Sequence, residues 1–133
     1  MFTIEQIKNA HSKVKSGADF PRYVQDLIQL GVRSYDTYVR DGHSLYRGAH
    51  GFEAVSDPKY AELGVSERSD KEQFKTYLKT HQQGGTDYPT FCRHSAETGV
   101  EKWTVDMGAF TCTYYDRAGN VMLEEEIPAA NAQ

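Results

Sequence analysis

The sequence predicts a two-layer α+β fold, with an antiparallel sheet or pair of sheets carrying helices on one face and an internal helix-helix-hairpin duplication as its building plan. Three observations carry this prediction. First, one stretch is used twice: GADFPRYVQDLIQLGVRSY at 17–35 and GTDYPTFCRHSAETGVEKW at 85–103 match, at an offset of 68, at Gly17/Gly85, Asp19/Asp87, Pro21/Pro89, Gly31/Gly99 and Val32/Val100. Aromatics also replace aromatics at Phe20/Tyr88, Tyr23/Phe91 and Tyr35/Trp103. Ordinary residue usage would give about one identity in such a window, so a structural repeat is the better account. Second, in each half an apolar spacing of helical period gives way to strict alternation. Third, the alternating segments sort into one apolar and one polar face, as strands half in water must.

In chain order, Thr3 followed three residues on by Gln6 has the form of a capping box, so a first helix starts at once. Ile4, Ile7, His11 and Val14 share a face of it, which puts a histidine on an apolar seam, and Lys15-Ser16-Gly17 ends it. Asp19 is placed to cap the second helix, with Pro21 in a first turn that has no acceptor for its missing N–H. Phe20, Tyr23, Val24, Leu27 and Ile28 form its core stripe, and Gly31 stops it. From Val32 the period is two. Asp41-Gly42 reads as a two-residue hairpin loop, which sets Val39 opposite Ser44, Tyr38 opposite Leu45, Thr37 opposite Tyr46 and Asp36 opposite Arg47. Tyr35, Thr37, Val39, Ser44 and Tyr46 then share one face, and Asp36, Tyr38, Arg40, His43, Leu45 and Arg47 the wetter one. Ala49–Gly51 turns the chain into a short strand over Phe52–Val55.

Ser56-Asp57-Pro58 predicts a short connecting helix over Lys59–Leu63, ended by Gly64. Ser69 with Glu72 forms a second capping box, and Phe74, Tyr77, Leu78 and His81 are the stripe behind it, again with a histidine on the seam. Asp87 opens a fourth helix with Tyr88, Phe91, Cys92, Ser95 and Ala96 inward. In the second hairpin Met107 faces Phe110, Val105 faces Cys112, Trp103 faces Tyr114 and, on the other face, Thr104 lies opposite Thr113. Val121, Leu123 and Ile127 line the inward side of a last strand. The chain thus reads as one domain over 1–133, with repeats at about 3–55 and 69–127, a connection at 56–68 and a frayed tail at 128–133.

Composition narrows the function classes. A net charge of −4 and a pI near 5.7, with basic residues scattered, leave no footprint for nucleic acid or an anionic membrane. There is no apolar run of spanning length and no signal-peptide pattern, so a cytoplasmic location is expected. Nine tyrosines point to aromatic surfaces that are partly wet. Cys92-Arg93-His94 is a single Cys-x-His whose members diverge on a helix, so no metal site is expected, and no phosphate loop, dinucleotide motif or nucleophile elbow calls for a cofactor. Cys92 and Cys112 read as buried, inert thiols.

The segments DFPRYVQDLIQLGVRSYDTYVRDGH, EQFKTYLKTHQQGGTDYPTFCRHSAETGVEKWTVDM and CTYYDRAGN resemble the YbcV-like family of small bacterial and prophage proteins, often labelled "phage envelope protein", over about residues 3–127. The resemblance implies no activity, substrate or catalytic residue. Function rests on the residues themselves. The missing catalytic signatures favour a soluble binding or interaction protein, a homo-oligomer through its wet sheet face or hairpin, with Tyr38, Asp41, His43 and Tyr115 as the surface. The alternative is a small enzyme or small-ligand binder with its pocket between the repeats. There His11 and His81, with Asp19 and Asp87 as orienting carboxylates, would stand near Tyr35 and Trp103.

Overall fold

A computed structural model of the chain describes residues 2–15 and 17–128. Over these residues the helices are α1 (Ile4–His11), α2 (Phe20–Leu30), α3 (Lys71–Gln82) and α4 (Tyr88–Glu97). The strands are β1 (Ser34–Tyr38), β2 (Ser44–Arg47), β3 (Glu53–Val55), β4 (Val100–Asp106), β5 (Thr111–Asp116) and β6 (Val121–Glu126). All six strands form one antiparallel sheet in the order β3-β2-β1-β4-β5-β6, so both hairpins join a single sheet. The order reads alike from either edge. At its middle β1 lies against β4 with Asp36 opposite Thr104, residues separated by 68, and the Thr104 hydroxyl donates to the Asp36 carboxylate at 2.7 Å.

The helices start and stop where backbone chemistry directs them. Thr3 caps α1 through its hydroxyl, 3.1 Å from the Gln6 amide, while the Gln6 side chain accepts from the Thr3 amide at 2.8 Å. Asp87 caps α4, accepting from the Thr90 amide at 2.9 Å. Gly31 ends α2 at φ +102°, a left-handed turn that a Cβ would strain. Between helices and sheet, Val24, Leu27, Phe74, Cys92, Val100 and Val105 are fully shielded from water. The second hairpin has the predicted register, Trp103 with Tyr114, Thr104 with Thr113 and Val105 with Cys112.

Six local expectations are corrected. In the first hairpin the pairs are Thr37 with Ser44, Asp36 with Leu45, Tyr35 with Tyr46 and Ser34 with Arg47, a slip of two residues from a two-residue loop. Val39 is the cause: its amide bonds the Glu101 carbonyl at 3.0 Å and its side chain is fully buried, so the ladder ends at Tyr38 and the loop runs from Val39 to Gly42. A slip of two keeps each side chain on its face, which is why the division into core and wet faces survives. The connecting helix does not form. The amides of Lys59 and Leu63 are taken by the carbonyls of Asp41 and Arg40 at 2.8 and 2.6 Å, and the Tyr60 hydroxyl by that of Val39 at 2.6 Å, so the segment straps the first hairpin instead.

Asp19 makes no side-chain cap on α2; it closes a 3-10 turn over Gly17–Asp19 and accepts from the Lys15 amide at 2.8 Å. Helix α1 ends at His11, short of the expected stop, of which Ser16 lies outside the described residues. The α3 cap is Asp70, accepting from the Gln73 amide at 3.1 Å, because the Ser69 hydroxyl is spent on the Asp116 carboxylate at 2.7 Å. In β6 the bulge between Tyr114 and Tyr115 skips Met122, which is buried, while Val121 is 48 % exposed. The expected frayed tail, beyond Pro128, falls outside the described residues.

Candidate functional site

Between the helices and the core face of the sheet lies a cavity of about 660 Å³. Four of the six residues expected for a ligand site line it: His11, His81, Tyr35 and Trp103. The sequence separates them, and the fold gathers them for simple reasons. His11 and His81 occupy the last turns of α1 and α3 on the stripes that face the sheet. Tyr35 and Trp103 sit on adjacent strands, where the register pairs Tyr35 with Val105 and Trp103 with Thr37, so both rings stand on the core face as diagonal neighbours.

The two histidines are held differently. The His11 ring meets Tyr23 edge-on at 5.2 Å and Tyr88 at 5.7 Å. The His81 ring stacks on Phe91 at 4.4 Å, and its Nδ1 lies 3.1 Å from both the carbonyl and the hydroxyl oxygen of Thr86. A carbonyl can only accept, so Nδ1 carries the proton and Nε2 is left as the basic nitrogen. Burial lowers the pKa of both imidazoles; the charge of Lys59 adds to this at His11, and the Thr86 bond and Asp87 oppose it at His81. Among the described residues Thr86 is the hydrogen-bond partner of His81, and His11 is held by ring contacts. Asp19 and Asp87 do not line the cavity; Asp87 is an exposed helix cap whose charge His81 feels, and Asp19 serves the turn before α2.

The remaining walls are aromatic. Tyr23, Tyr46, Tyr88 and Tyr114 line the cavity with Tyr35, and Phe20 and Phe91 complete the rings. Burial raises the pKa of all five phenols, so each keeps its proton and remains a donor near neutrality. Cys112, at the floor, is pushed up to about 12 by burial, and burial raises Cys92 as well, so both free thiols are poor nucleophiles. Thr37 and Ser44 satisfy each other's hydroxyls at 2.7 Å. Charge is confined to other lining residues: Lys15 and Lys59 from the α1 side, Glu125 and Glu126 from β6, with Glu125 accepting from the Gln82 side chain at 2.9 Å. Of the five tyrosines the sequence assigned only Tyr35 to a site, and Tyr23, Tyr46, Tyr88 and Tyr114 were placed in strands and helices alone; the available signal was the number of tyrosines, nine in the chain. Lys59 was hidden by the expectation of a helix there. Among the described residues no three His, Cys, Asp or Glu side chains are grouped as a metal ion requires, and no helix is long and apolar enough to cross a membrane.

The expected interaction surface forms a second cluster, on the outer face of the sheet. Tyr38 stacks on His43 at 4.6 Å, and His43 Nδ1 lies 2.6 Å from an Asp41 carboxylate oxygen. Lys102, which the sequence did not single out, joins them to Tyr115: its ammonium lies 5.8 Å from the Tyr38 ring and 5.5 Å from that of Tyr115. Beneath them the buried Asp36 carboxylate accepts from Arg47 at 2.7 Å as well as from Thr104, with Lys102 4.0 Å away. Burial alone would raise its pKa, but these bonds and charges outweigh it and hold Asp36 below the usual carboxylate range.

A family model described as "Protein of unknown function (DUF1398)" matches residues 8–126. That match carries neither the YbcV-like name nor the phage label of the resemblance. No curated protein matches the chain.

Proposed function

Because the chain belongs to this family of proteins of unknown function, its role has to be argued from its own site, and we propose that it is a small-molecule-binding protein whose ligand lies between the helices and the sheet. The observation that carries this is the aromatic cavity of about 660 Å³ with His11, His81, Tyr35 and Trp103 in its walls. Ligand pockets of folded proteins run from roughly 300 to 1,000 Å³ and combine apolar walls with a few convergent polar groups, as here. Binding is favoured over catalysis: among the described residues His81 is oriented by Thr86 and not by a carboxylate, and the thiols are held protonated and so are poor nucleophiles. The site takes residues from both halves, which supports reading the chain as two copies of one unit folded around a shared pocket.

The test is a thermal-shift screen of small metabolites, since a ligand bound only by the native state raises its melting temperature. Ala18→Phe, at an exposed lining position, should abolish the shift of any hit. A hit indifferent to that substitution would bind elsewhere, and a broad screen without hits would count against the reading.

A second reading, self-association through the outer face, is favoured by the joined cluster of Tyr38, Asp41, His43, Lys102 and Tyr115. Light scattering tests it: a monomer at high concentration removes it.

A further inference from the structure

We propose that the ligand of this cavity is a ring-bearing carboxylic acid, its acid group paired with Lys59 and its ring stacked among Tyr88, Phe91 and Trp103. This rests on the cavity being a ligand site and names the ligand's chemistry. Three independent features lead to it.

The first is the polarity of the walls. Tyr23 and Tyr46 bond each other, and Tyr88 and Tyr114 meet the thiols of Cys92 and Cys112, so among the described residues the Tyr35 hydroxyl and the Trp103 N–H are the aromatic lining donors left for a ligand's acceptors. A carboxylate is acceptor-only, with two oxygens able to take several such bonds at once.

The second is a cation, one of the two lysines in the lining. Lys59 lines this cavity and also an adjoining one of about 360 Å³ that shares His11 and Tyr46 with it. Among the described residues Lys59 has no ion-pair partner, whereas Lys8, in the wall of the smaller cavity, has Glu5 at 4.0 Å. The residue as a whole is exposed, but its ammonium sits where partial desolvation and the charge of Lys8 lower its pKa, and it is close enough to His11 to disfavour a second charge there. An anion brought by the ligand would relieve both effects. Its position is also fixed by the backbone, because the Lys59 amide is bonded to the Asp41 carbonyl at 2.8 Å. Substituting the side chain therefore leaves the strap in place.

The third is orientation. Glu125 and Glu126 stand on the β6 side of the lining, so an acid group is repelled there and drawn toward Lys59, and the ring is left to the aromatic walls. The edge-on and tilted contacts of Trp103 with Tyr88, at 6.4 Å, and with Phe91, at 5.7 Å, show walls already arranged for ring packing.

The experiment is calorimetric titration of the full chain and its Lys59→Gln and Lys59→Glu variants with a matched pair of probes, 2-naphthoic acid and 2-naphthamide. The acid is expected to bind the natural chain more tightly than the amide, to lose about tenfold in affinity with Lys59→Gln and more with Lys59→Glu. The amide should bind all three chains alike. Acid and amide of equal affinity, or an acid unaffected by Lys59→Gln, overturns the assignment of the acid while leaving the cavity as a binding site. No binding by either probe at millimolar concentration overturns both.

Discussion

The two halves of the chain use the same punctuation for different ends. Asp19 and Asp87 occupy matching positions before a helix with proline in its first turn, yet Asp87 caps α4 and Asp19 bonds the Lys15 amide to close a 3-10 turn. His11 and His81 both end a seam, but one lies between tyrosine edges and the other is tied to Thr86 and stacked on phenylalanine. Gly31 and Gly99 share a left-handed backbone at φ +102° and +93° in very different space. A repeated residue thus preserves a local option, and the neighbours decide how it is used.

That contrast can be broken by paired substitutions. The largest difference should be at the glycines. A Cβ at Gly99 would lie 2.4 Å from the Arg68 carbonyl oxygen, while at Gly31 the nearest atom is a Phe2 ring carbon at 4.0 Å. Gly99→Ala should therefore cost about 3 kcal/mol and Gly31→Ala about 1 kcal/mol, read from urea midpoints at constant slope. Next is the pair at the middle of the sheet. Asp36→Ala strips the Arg47 and Thr104 donors of a buried partner and should cost about 2 kcal/mol, against about 1 kcal/mol for Thr104→Val. At the helix starts, Asp87→Ala should speed hydrogen exchange of the Thr90 amide, whereas Asp19→Ala should speed that of Lys15 and leave the first turn of α2 unchanged.

The smallest effect is in pH dependence. Both imidazoles have folded pKa values below the ordinary 6.5, so the unfolded chain takes up protons first as pH falls. Their stabilisation is complete above that value and is lost as the pH drops through it toward the folded values. Burial and Lys59 act together at His11, while Thr86 and Asp87 oppose burial at His81. His11→Gln should accordingly flatten the acid-side fall in melting temperature more than His81→Gln does.

Much of the fold was legible because it rests on periodicity. Tyr35, Trp103, Val105 and Cys112 alternate onto the core face whatever the loop length, and the seams that carry His11 and His81 follow from helical spacing. What sequence could not show was competition for the same groups. The amides of Lys59 and Leu63 have helical acceptors available in principle, and the first hairpin's loop outbids them. Ser69 is a sound cap until Asp116 arrives from 47 residues away. Val39 fits a hairpin arm equally well one pair further on, until β4 claims its amide. The cavity itself is a property of spacing between layers. Its wall residues could be picked out singly, but the space between them has no code in the chain.

The Asp36–Thr104 pair also bears on how β1 would meet a strand of another copy. Each half presents a strand whose free edge must be paired, and β1 could in principle take the β1 of another molecule in place of β4. In the same register, such an exchange would bring Asp36 against Asp36, two like charges directly opposite in a ladder. The threonine opposite removes that repulsion only within the native pairing. A charge carried on one side alone should therefore favour the pairing of β1 with the chain's own β4 over pairing with the β1 of another copy.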